Sequence, residues 1–202
     1  AQGGYPVAMF NRTRESSVRA LGEGEKGLNL FVEEGLSSRT DAEEALARIS
    51  PTTDLGEAVR EADFITEAVV DDLALKQRIF REMDALAPFH AILTSETSGL
   101  RMTDISLNTN HPERCVSTHN YTPPPLMPVV EVVPGERTDP AAVETTCALL
   151  RRVGKEPVVC KEIPGHIGVR LTTALRREVA HIIEEGYATP EAVDTVMRSV
   201  GR

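Results

Sequence analysis

Short apolar runs alternate with stretches of helical periodicity along most of this chain, and that alternation constrains its fold more than any other feature. Residues 62–67 and 91–95 have the length and composition of buried strands. Between them, apolar side chains recur at helical spacing, at Leu75, Ile79, Met83 and Leu86. A strand, a helix and a second strand in this order form a βαβ unit. The sequence therefore predicts an α/β fold with a mainly parallel sheet and helices on both faces.

The same alternation extends in both directions from this unit. Further strands are predicted at residues 5–10, 115–119, 129–133 and 157–160. Further helices are predicted at residues 14–35 and 103–107, and from the cap at Asp139-Pro140 to Gly154. Thr40 and Glu43 have the spacing of a capping box, which predicts another helix that ends at Ser50-Pro51.

The last forty residues have a different pattern. Apolar residues advance there mostly in steps of four, at Ile167, Leu171, Leu175, Val179 and Ile183. This stripe predicts a long amphipathic helix that ends at Gly186, and a further helix starts at Thr189-Pro190. Because Pro164-Gly165 stands where the sheet pattern gives way to helix, we expect one domain over residues 1–163 and a helical segment over residues 164–202.

Charge and composition exclude several classes of partner. The chain carries 31 Asp and Glu against 22 Lys and Arg, a net charge of −9, which disfavours nucleic acid as a ligand. The uncharged stretch over residues 116–130 contains four prolines and is too short to span a membrane. The N-terminus lacks the pattern of a signal peptide. The sequence contains three widely spaced cysteines, a pattern that favours neither a disulfide framework nor a metal site. We therefore expect a cytoplasmic protein that binds no metal.

Three polar residues stand at or near the ends of successive predicted strands. Ser98 follows the strand at 91–95, His119 ends the next one, and Glu131 lies within the one after it. Since the carboxyl ends of parallel strands face one crevice, we expect a shared pocket in which imidazole exchanges a proton with a substrate hydroxyl and the carboxylate fixes its tautomer. The alternative interpretation is a capping serine, a core histidine and a solvated glutamate without a common role.

Five segments resemble the 3-hydroxyacyl-CoA dehydrogenase family, in that family's order and at its intervals. They are TEAVVDDLALK (66–76), TSETSGL (94–100), HPERCVSTH (111–119), LMPVVE (126–131) and IPGHIGVRL (163–171). Residues 97–100, 111–115 and 176–181 also resemble its carnitine and gulonate dehydrogenase branches. The resemblance runs along the whole chain. It implies a Rossmann-like dinucleotide-binding domain over residues 1–163, followed by the beginning of an all-helical dimerisation and substrate domain over residues 164–202.

The resemblance also implies roles for the polar residues. His119 would be the general base for the C3 hydroxyl, Glu131 would orient and polarise His119, and Ser98 would hydrogen-bond the substrate oxygen while hydride passes to a nicotinamide. Asp71 and Lys76 match an acidic residue and a lysine that approach the cofactor in this family. Alternatively, they are an ordinary acid of a first helical turn and an exposed lysine.

Four positions depart from the family around this one pocket. The family has asparagine at the position of Glu96, near the cofactor. At the substrate-contacting positions of Thr122, His166 and Val169 it has asparagine, phenylalanine and asparagine. These departures predict a changed substrate or, alternatively, lost activity. At Glu96 an added carboxylate would attract a cationic group or would have to be protonated to donate a hydrogen bond.

The choice between NADP and NAD depends on the turn after the first strand. The family places a ribose-binding aspartate where this chain has Asn11, and Arg12 and Arg14 follow it. A neutral side chain beside two guanidinium groups favours NADP, although Asn11 or Thr13 could instead simply cap a helix. No G-x-G-x-x-G loop precedes Tyr5. We therefore expect unpaired strands within the sheet and an additional N-terminal segment in the complete protein.

These observations lead to one functional hypothesis and one alternative. We expect an NADP- or NAD-dependent oxidoreductase acting on a small or carrier-bound 3-hydroxyacyl thioester or a related β-hydroxy acid, as a homodimer. The alternative is a catalytically weak homologue that serves as a binding or assembly subunit.

Overall fold

A computed structural model describes residues 1–200 of the chain, so Gly201 and Arg202 of the predicted helical segment lie outside the described residues. The strands are β1 (Val7–Phe10), β2 (Ile49–Thr52), β3 (Phe64–Glu67), β4 (Ile92–Ser95), β5 (Cys115–Asn120), β6 (Val129–Pro134) and β7 (Glu156–Val159). The helices are α1 (Arg14–Glu33), α2 (Arg39–Ala47), α3 (Leu55–Val59), α4 (Leu73–Leu86), α5 (Met102–Ile105), α6 (Pro140–Arg152), α7 (His166–Glu184) and α8 (Pro190–Val200).

The strands form two sheets that are hydrogen-bonded separately. β1 pairs with β2 in parallel, and the second sheet has the order β3-β4-β5-β6-β7. Within it only β5 and β6 run antiparallel, while the other neighbours are parallel. The prediction of a mainly parallel sheet is confirmed. Within the described residues no ladder joins β1 to β3, and every strand has a partner in one of the two sheets.

Helices cover both faces of the larger sheet, as predicted. Successive residues of a strand point to opposite faces, and Leu93 packs in one apolar cluster while its neighbour Ile92 packs in another. The Leu93 cluster includes side chains of α3, α4 and α5: Val59, Phe80, Met83, Met102 and Ile105. The Ile92 cluster includes Ala142 and Cys147 of α6. The core of the protein therefore consists of two layers, with the sheet between them.

The helix cap predicted at Asp139 is confirmed, whereas the one predicted at Thr40 is wrong. Asp139 caps α6 by accepting a hydrogen bond from the backbone N–H of Ala141. α2 is capped by Ser38 instead of Thr40, because the Ser38 hydroxyl accepts from the backbone N–H of Asp41. Thr40 lies two residues further along, inside the first turn of the helix.

The segment predicted as the end of α2 is in fact strand β2. Residues Ser50 and Pro51 pair in parallel with Ala8 and Met9 of β1. Proline removes a backbone donor but is tolerated on an edge strand, where one side of the strand needs no partner. β2 has only β1 as a neighbour, so Pro51 fits there.

The predicted C-terminal helices are present as α7 and α8. In α7 only His166 is buried, and α8 has no buried residue. The division of the chain between residues 163 and 164 stays a prediction. Among residues 1–200, no helix combines the length and the apolar character that crossing a membrane requires.

A buried ion pair joins the end of α4 to the segment before β5. The guanidinium of Arg114 donates to Asp84 Oδ1 at 2.8 Å and to the backbone carbonyls of Asp84 and Ala91. Asp84 Oδ2 accepts from the backbone N–H of Asn110 at 2.6 Å. Both charged side chains are shielded from solvent, with exposures of 5% for Asp84 and 6% for Arg114. This pair joins α4 to the residue that precedes β5.

Asp84→Ala should lower the free energy of unfolding by about 3–5 kcal/mol, because it leaves the Arg114 guanidinium buried without its counter-charge. The matched control is Asp63→Ala, since the side chain of Asp63 is 89% exposed and pairs only with His90. The control should cost no more than about 1 kcal/mol. Urea unfolding of both variants measures the difference, and equal losses would show that the buried pair does not stabilise the fold.

Candidate functional site

A pocket of about 660 Å³ lies at the carboxyl ends of β3, β4 and β5. In α/β sheets ligands bind at this end of the parallel strands. The wall of the pocket is formed by Thr66, Ala68, Glu96, Ser98, His119, Asn120, Tyr121, Thr122, Pro124, Gly168, Val169 and Thr172. It includes five predicted site residues: Glu96, Ser98, His119, Thr122 and Val169.

His119, a residue of this wall, forms a hydrogen-bonded pair with Glu131, which does not line the pocket. They are direct partners in the antiparallel ladder of β5 and β6, and His119 Nδ1 lies 2.8 Å from Glu131 Oε2. The expectation that Glu131 reaches the pocket from a parallel strand is wrong, because β6 runs antiparallel and the register alone places it opposite His119. The alternative of a solvated glutamate is also wrong, since Glu131 is only 2% exposed.

The second oxygen of Glu131 binds the beginning of α7. Oε1 accepts from the backbone N–H groups of Ile167 and Gly168, each at 2.9 Å. Free N–H groups and the helix dipole favour a negative charge at this end of a helix. Burial raises the pKa of Glu131, but the hydrogen bonds from His119 and from these backbone groups outweigh burial and leave the pKa lowered. Glu131 is therefore an anion near neutral pH, and His119 Nδ1 must carry the proton that they share.

Tyr121 is a pocket residue that the sequence did not identify. Its ring centroid lies 5.2 Å from that of His119. Burial and the neighbouring Glu131 carboxylate raise the pKa of Tyr121 to about 12, so the phenol keeps its proton. The ring lies against Gly168, where an added Cβ would overlap the Tyr121 hydroxyl and stand 2.6 Å from two ring carbons. Only glycine at position 168 leaves room for this tyrosine.

His166 lies beside the pair without lining the pocket. It is fully buried, its ring centroid is 5.7 Å from that of His119, and its Nε2 lies 3.2 Å from the carbonyl of Thr97. Its Nδ1 has no hydrogen-bonding partner within the described part of the chain. Burial, reinforced by His119, lowers the pKa of His166, which favours the neutral ring. A neutral ring adds no competing positive charge next to His119.

Ser98 and Asp71 are linked to each other through the backbone. Ser98 is exposed on the pocket wall, and its backbone N–H donates to Asp71 Oδ2 at 3.1 Å. The side chain of Asp71 is 39% exposed and its Oδ1 is 3.5 Å from Lys76 Nζ. Asp71 therefore stands at the rim of the crevice and fixes the loop that carries Ser98.

Lys76 lies beneath the crevice in a buried cluster. Its ammonium group donates to both oxygens of Glu67, at 2.8 and 2.9 Å, and to the hydroxyl of Ser95 at 3.3 Å. Its exposure is 0%, so the alternative of an exposed helical lysine is wrong. The ion pair joins α4 to the last residues of β3 and β4. Lys76 thereby fixes the strand ends from which the pocket is built, a role that spacing alone could not reveal.

Asn11 and Arg12 lie in the turn after β1 of the smaller sheet, outside this pocket. The backbone N–H of Asn11 donates to the carbonyl of Thr52 at the end of β2. Thr13 caps α1 by accepting from the backbone N–H of Ser16, which confirms one of the capping alternatives. Arg12 and Arg14 are exposed, and neither forms an ion pair with another described residue. The turn therefore presents a neutral amide and two guanidinium groups to solvent.

Comparison with known proteins shows that this chain is similar to dehydrogenases. The family described as "3-hydroxyacyl-CoA dehydrogenase, NAD binding domain" matches residues 1–163. A probable 3-hydroxybutyryl-CoA dehydrogenase of Bacillus subtilis is 33% identical over 98% of this chain and 69% of its own length. An L-carnitine dehydrogenase of Mesorhizobium japonicum is 37% identical over 96% of this chain and 53% of its own length.

A solved structure has the same fold. The 3-hydroxybutyryl-CoA dehydrogenase of Escherichia coli K12 superimposes with a TM-score of 0.92 at 32% identity, over 98% of this chain and 42% of that one. The chain thus spans between 42% and 69% of the length of these relatives.

Gly168→Ala should lower the free energy of unfolding by about 1–3 kcal/mol, because the new Cβ must displace the ring of Tyr121. In the Tyr121→Ala background the same change should cost much less, since the obstructing ring is gone. Gly22→Ala is the control, because nothing lies within 4 Å of a Cβ there, and it should stabilise α1 by up to about 1 kcal/mol. A double-mutant cycle by urea unfolding measures the coupling, and additive losses would refute the contact.

Proposed function

The chain belongs to the 3-hydroxyacyl-CoA dehydrogenase family of nicotinamide-dependent oxidoreductases, and from this membership we propose its reaction. It transfers a hydride between a nicotinamide cofactor and C3 of a 3-hydroxyacyl thioester or a related β-hydroxy acid. The observation that carries the proposal is the 2.8 Å hydrogen bond between His119 Nδ1 and Glu131. It leaves the other ring nitrogen of His119, on the pocket side of the molecule, available to a substrate.

His119 acts as the base in the oxidative direction. Because Nδ1 carries the proton donated to Glu131, Nε2 is the basic nitrogen and takes the proton of the C3 hydroxyl. The imidazolium that forms is stabilised by the Glu131 anion, which the N-terminus of α7 holds in place. Ser98 donates a hydrogen bond to the substrate oxygen. In the reductive direction the same groups return the proton.

The residues present fit a nicotinamide cofactor. The pocket volume of about 660 Å³ is in the range of small-molecule and cofactor sites, and it lies where parallel strands end. Ser98, Asp71 and Glu96 would lie next to the nicotinamide half of the cofactor. Asn11 and Arg12 would lie next to its adenosine half. When bound, the nicotinamide exchanges a hydride with the substrate carbon. Lys76 supports this region from below through Glu67 and Ser95.

Two further properties belong to the proposal. We infer a homodimer formed through the helical segment, because large apolar side chains of α7 and α8 are exposed there: Leu171, Leu175, Val196 and Val200. A second copy could cover the same surface on both subunits. A cytoplasmic location is supported by the free thiols of Cys115, Cys147 and Cys160.

His119→Gln should reduce turnover of a 3-hydroxyacyl substrate by about 10²- to 10⁴-fold, because it removes the proton acceptor. Cofactor affinity should change little. His90→Gln is the matched control, since His90 is 66% exposed and pairs with Asp63 outside the pocket, and it should keep full turnover. Steady-state kinetics with fluorescence titration of the reduced cofactor separates the two effects. Turnover that survives His119→Gln would exclude this base, and cofactor binding without any turnover would favour the binding-subunit alternative.

Asn11→Asp should shift cofactor preference from NADPH towards NADH. A carboxylate at the end of β1 repels the 2′-phosphate that Arg12 would otherwise pair with. Asn108→Asp adds the same charge outside this turn and should leave the preference unchanged. The ratio of the two dissociation constants reports the effect. A wild-type preference for NADH of about tenfold, or 1.4 kcal/mol, would contradict the assignment.

A further inference from the structure

The start of α7 contacts both sides of the proposed site. Its backbone N–H groups at residues 167–168 donate to the carboxylate of Glu131. The two residues before them, 165–166, contact instead the loop that follows β4 and carries Ser98. One short segment therefore joins the serine side of the pocket to the carboxylate that orients the proposed base.

Two hydrogen bonds from this segment reach the residues on either side of Ser98. His166 Nε2 lies 3.2 Å from the carbonyl oxygen of Thr97. Gly165 donates its backbone N–H to the carbonyl of Gly99, also at 3.2 Å. A Cβ added at Gly99 would stand 3.2 Å from Gly165 Cα, so the two backbones are in close contact there. Ser98 thus lies between two contacts with the start of α7, and a side chain makes one of them.

The contact with Thr97 also determines which nitrogen of His166 carries a proton. A carbonyl oxygen can only accept, so the hydrogen is on Nε2. The neutral ring then has a bare lone pair on Nδ1, which is buried without a hydrogen-bonding partner among residues 1–200. An unpaired buried polar atom destabilises a folded protein. His166 therefore satisfies Thr97 and leaves its own second nitrogen unsatisfied.

The backbone of His166 is strained as well. Its φ of 43° lies in the left-handed region, which a side chain other than glycine rarely adopts and which persists only where surrounding contacts hold it. A phenylalanine would fill the same space without an unpaired nitrogen, but it could not donate to Thr97. The hydrogen bond to Thr97 is therefore what the imidazole adds at this position, at a cost in stability. Such costs are typical of residues that serve a site.

We propose that His166 is a positioning residue, whose hydrogen bond to Thr97 holds the loop in the place from which the Ser98 hydroxyl reaches the substrate oxygen. This role rests on the proposed reaction, in which Ser98 donates to the oxygen whose proton His119 takes. His166 itself does not line the pocket, so it acts through the loop. A displacement of about 1 Å at such a contact can lower a rate by about 10²-fold.

The main variant is His166→Phe, which keeps the bulk of the ring and removes both nitrogens. Turnover of a 3-hydroxyacyl substrate by the full-length protein should fall about 10- to 100-fold in kcat, because the loop is no longer held. The melting temperature should change little, since the lost hydrogen bond and the lost unpaired nitrogen offset each other. His181→Phe makes the same exchange at an exposed position of α7 and should leave kcat unchanged.

Two further variants show whether His166 acts through Ser98. In a Ser98→Ala background, adding His166→Phe should change kcat by less than about twofold, because no hydroxyl is left to position. His166→Gln keeps an N–H donor near the place of Nε2 and should retain most of the turnover. A loss from His166→Phe that persists in full in the Ser98→Ala background would overturn the proposal, as would equal losses in His166→Gln and His166→Phe. A melting temperature that falls together with turnover in His166→Phe would also overturn it, because His166 would then serve the fold alone.

Amide hydrogen exchange provides a readout independent of turnover. Peptides that cover residues 96–100 should exchange about fivefold faster or more in His166→Phe than in the wild type, because opening of the loop then breaks one hydrogen bond fewer. Peptides of α4 should keep their wild-type rates. Unchanged exchange over residues 96–100 would overturn the proposal. A wild type that oxidises no 3-hydroxyacyl substrate would contradict the proposed reaction alone, and the exchange rates would still decide whether His166 holds the loop.

Discussion

The carboxylate of Glu131 holds together the parts of the molecule on which the site depends. One oxygen binds His119 of the neighbouring strand and the other binds the first backbone amides of α7. The anion is thus compensated from both sides by a ring N–H and by the positive end of a helix. If it were removed, the sheet, the tautomer of His119 and the start of α7 would lose their common anchor. The position of Tyr121 over Gly168 follows from the same anchor, because that glycine supplies one of the two amides.

The sequence predicted those parts of the fold that depend on local periodicity. The βαβ alternation, the cap at Asp139 and the amphipathic helix α7 are all properties of neighbouring residues, and the structure confirms them. The sequence did not predict strand β2 or the antiparallel direction of β6, because strand pairing joins residues far apart in the chain. Pro51 in particular indicates a helix end locally, and only its partner β1 makes the segment a strand.

In the candidate site, too, the sequence predicted local features and did not predict contacts between residues far apart in the chain. Ser98, His119 and Glu131 follow from the predicted strands, and the family resemblance added their roles. The true position of Glu131 depends on the register of β5 and β6. The burial of Lys76 could not be inferred, because a helical lysine is usually exposed and only Glu67 and Ser95 make its burial possible. The role of Tyr121 was hidden for a similar reason, since nothing in the sequence indicates that its ring meets Gly168.

The carboxylates of this structure differ in whether a basic side chain compensates their charge. In the described structure the buried charges of Asp84, Glu67 and Glu131 are each paired, so they contribute to the fold without attracting a ligand. Glu96 is instead held by neutral donors at the pocket wall, where its field is not cancelled. An anionic group would meet repulsion from Glu96 at this wall, to which neither lysine nor arginine contributes.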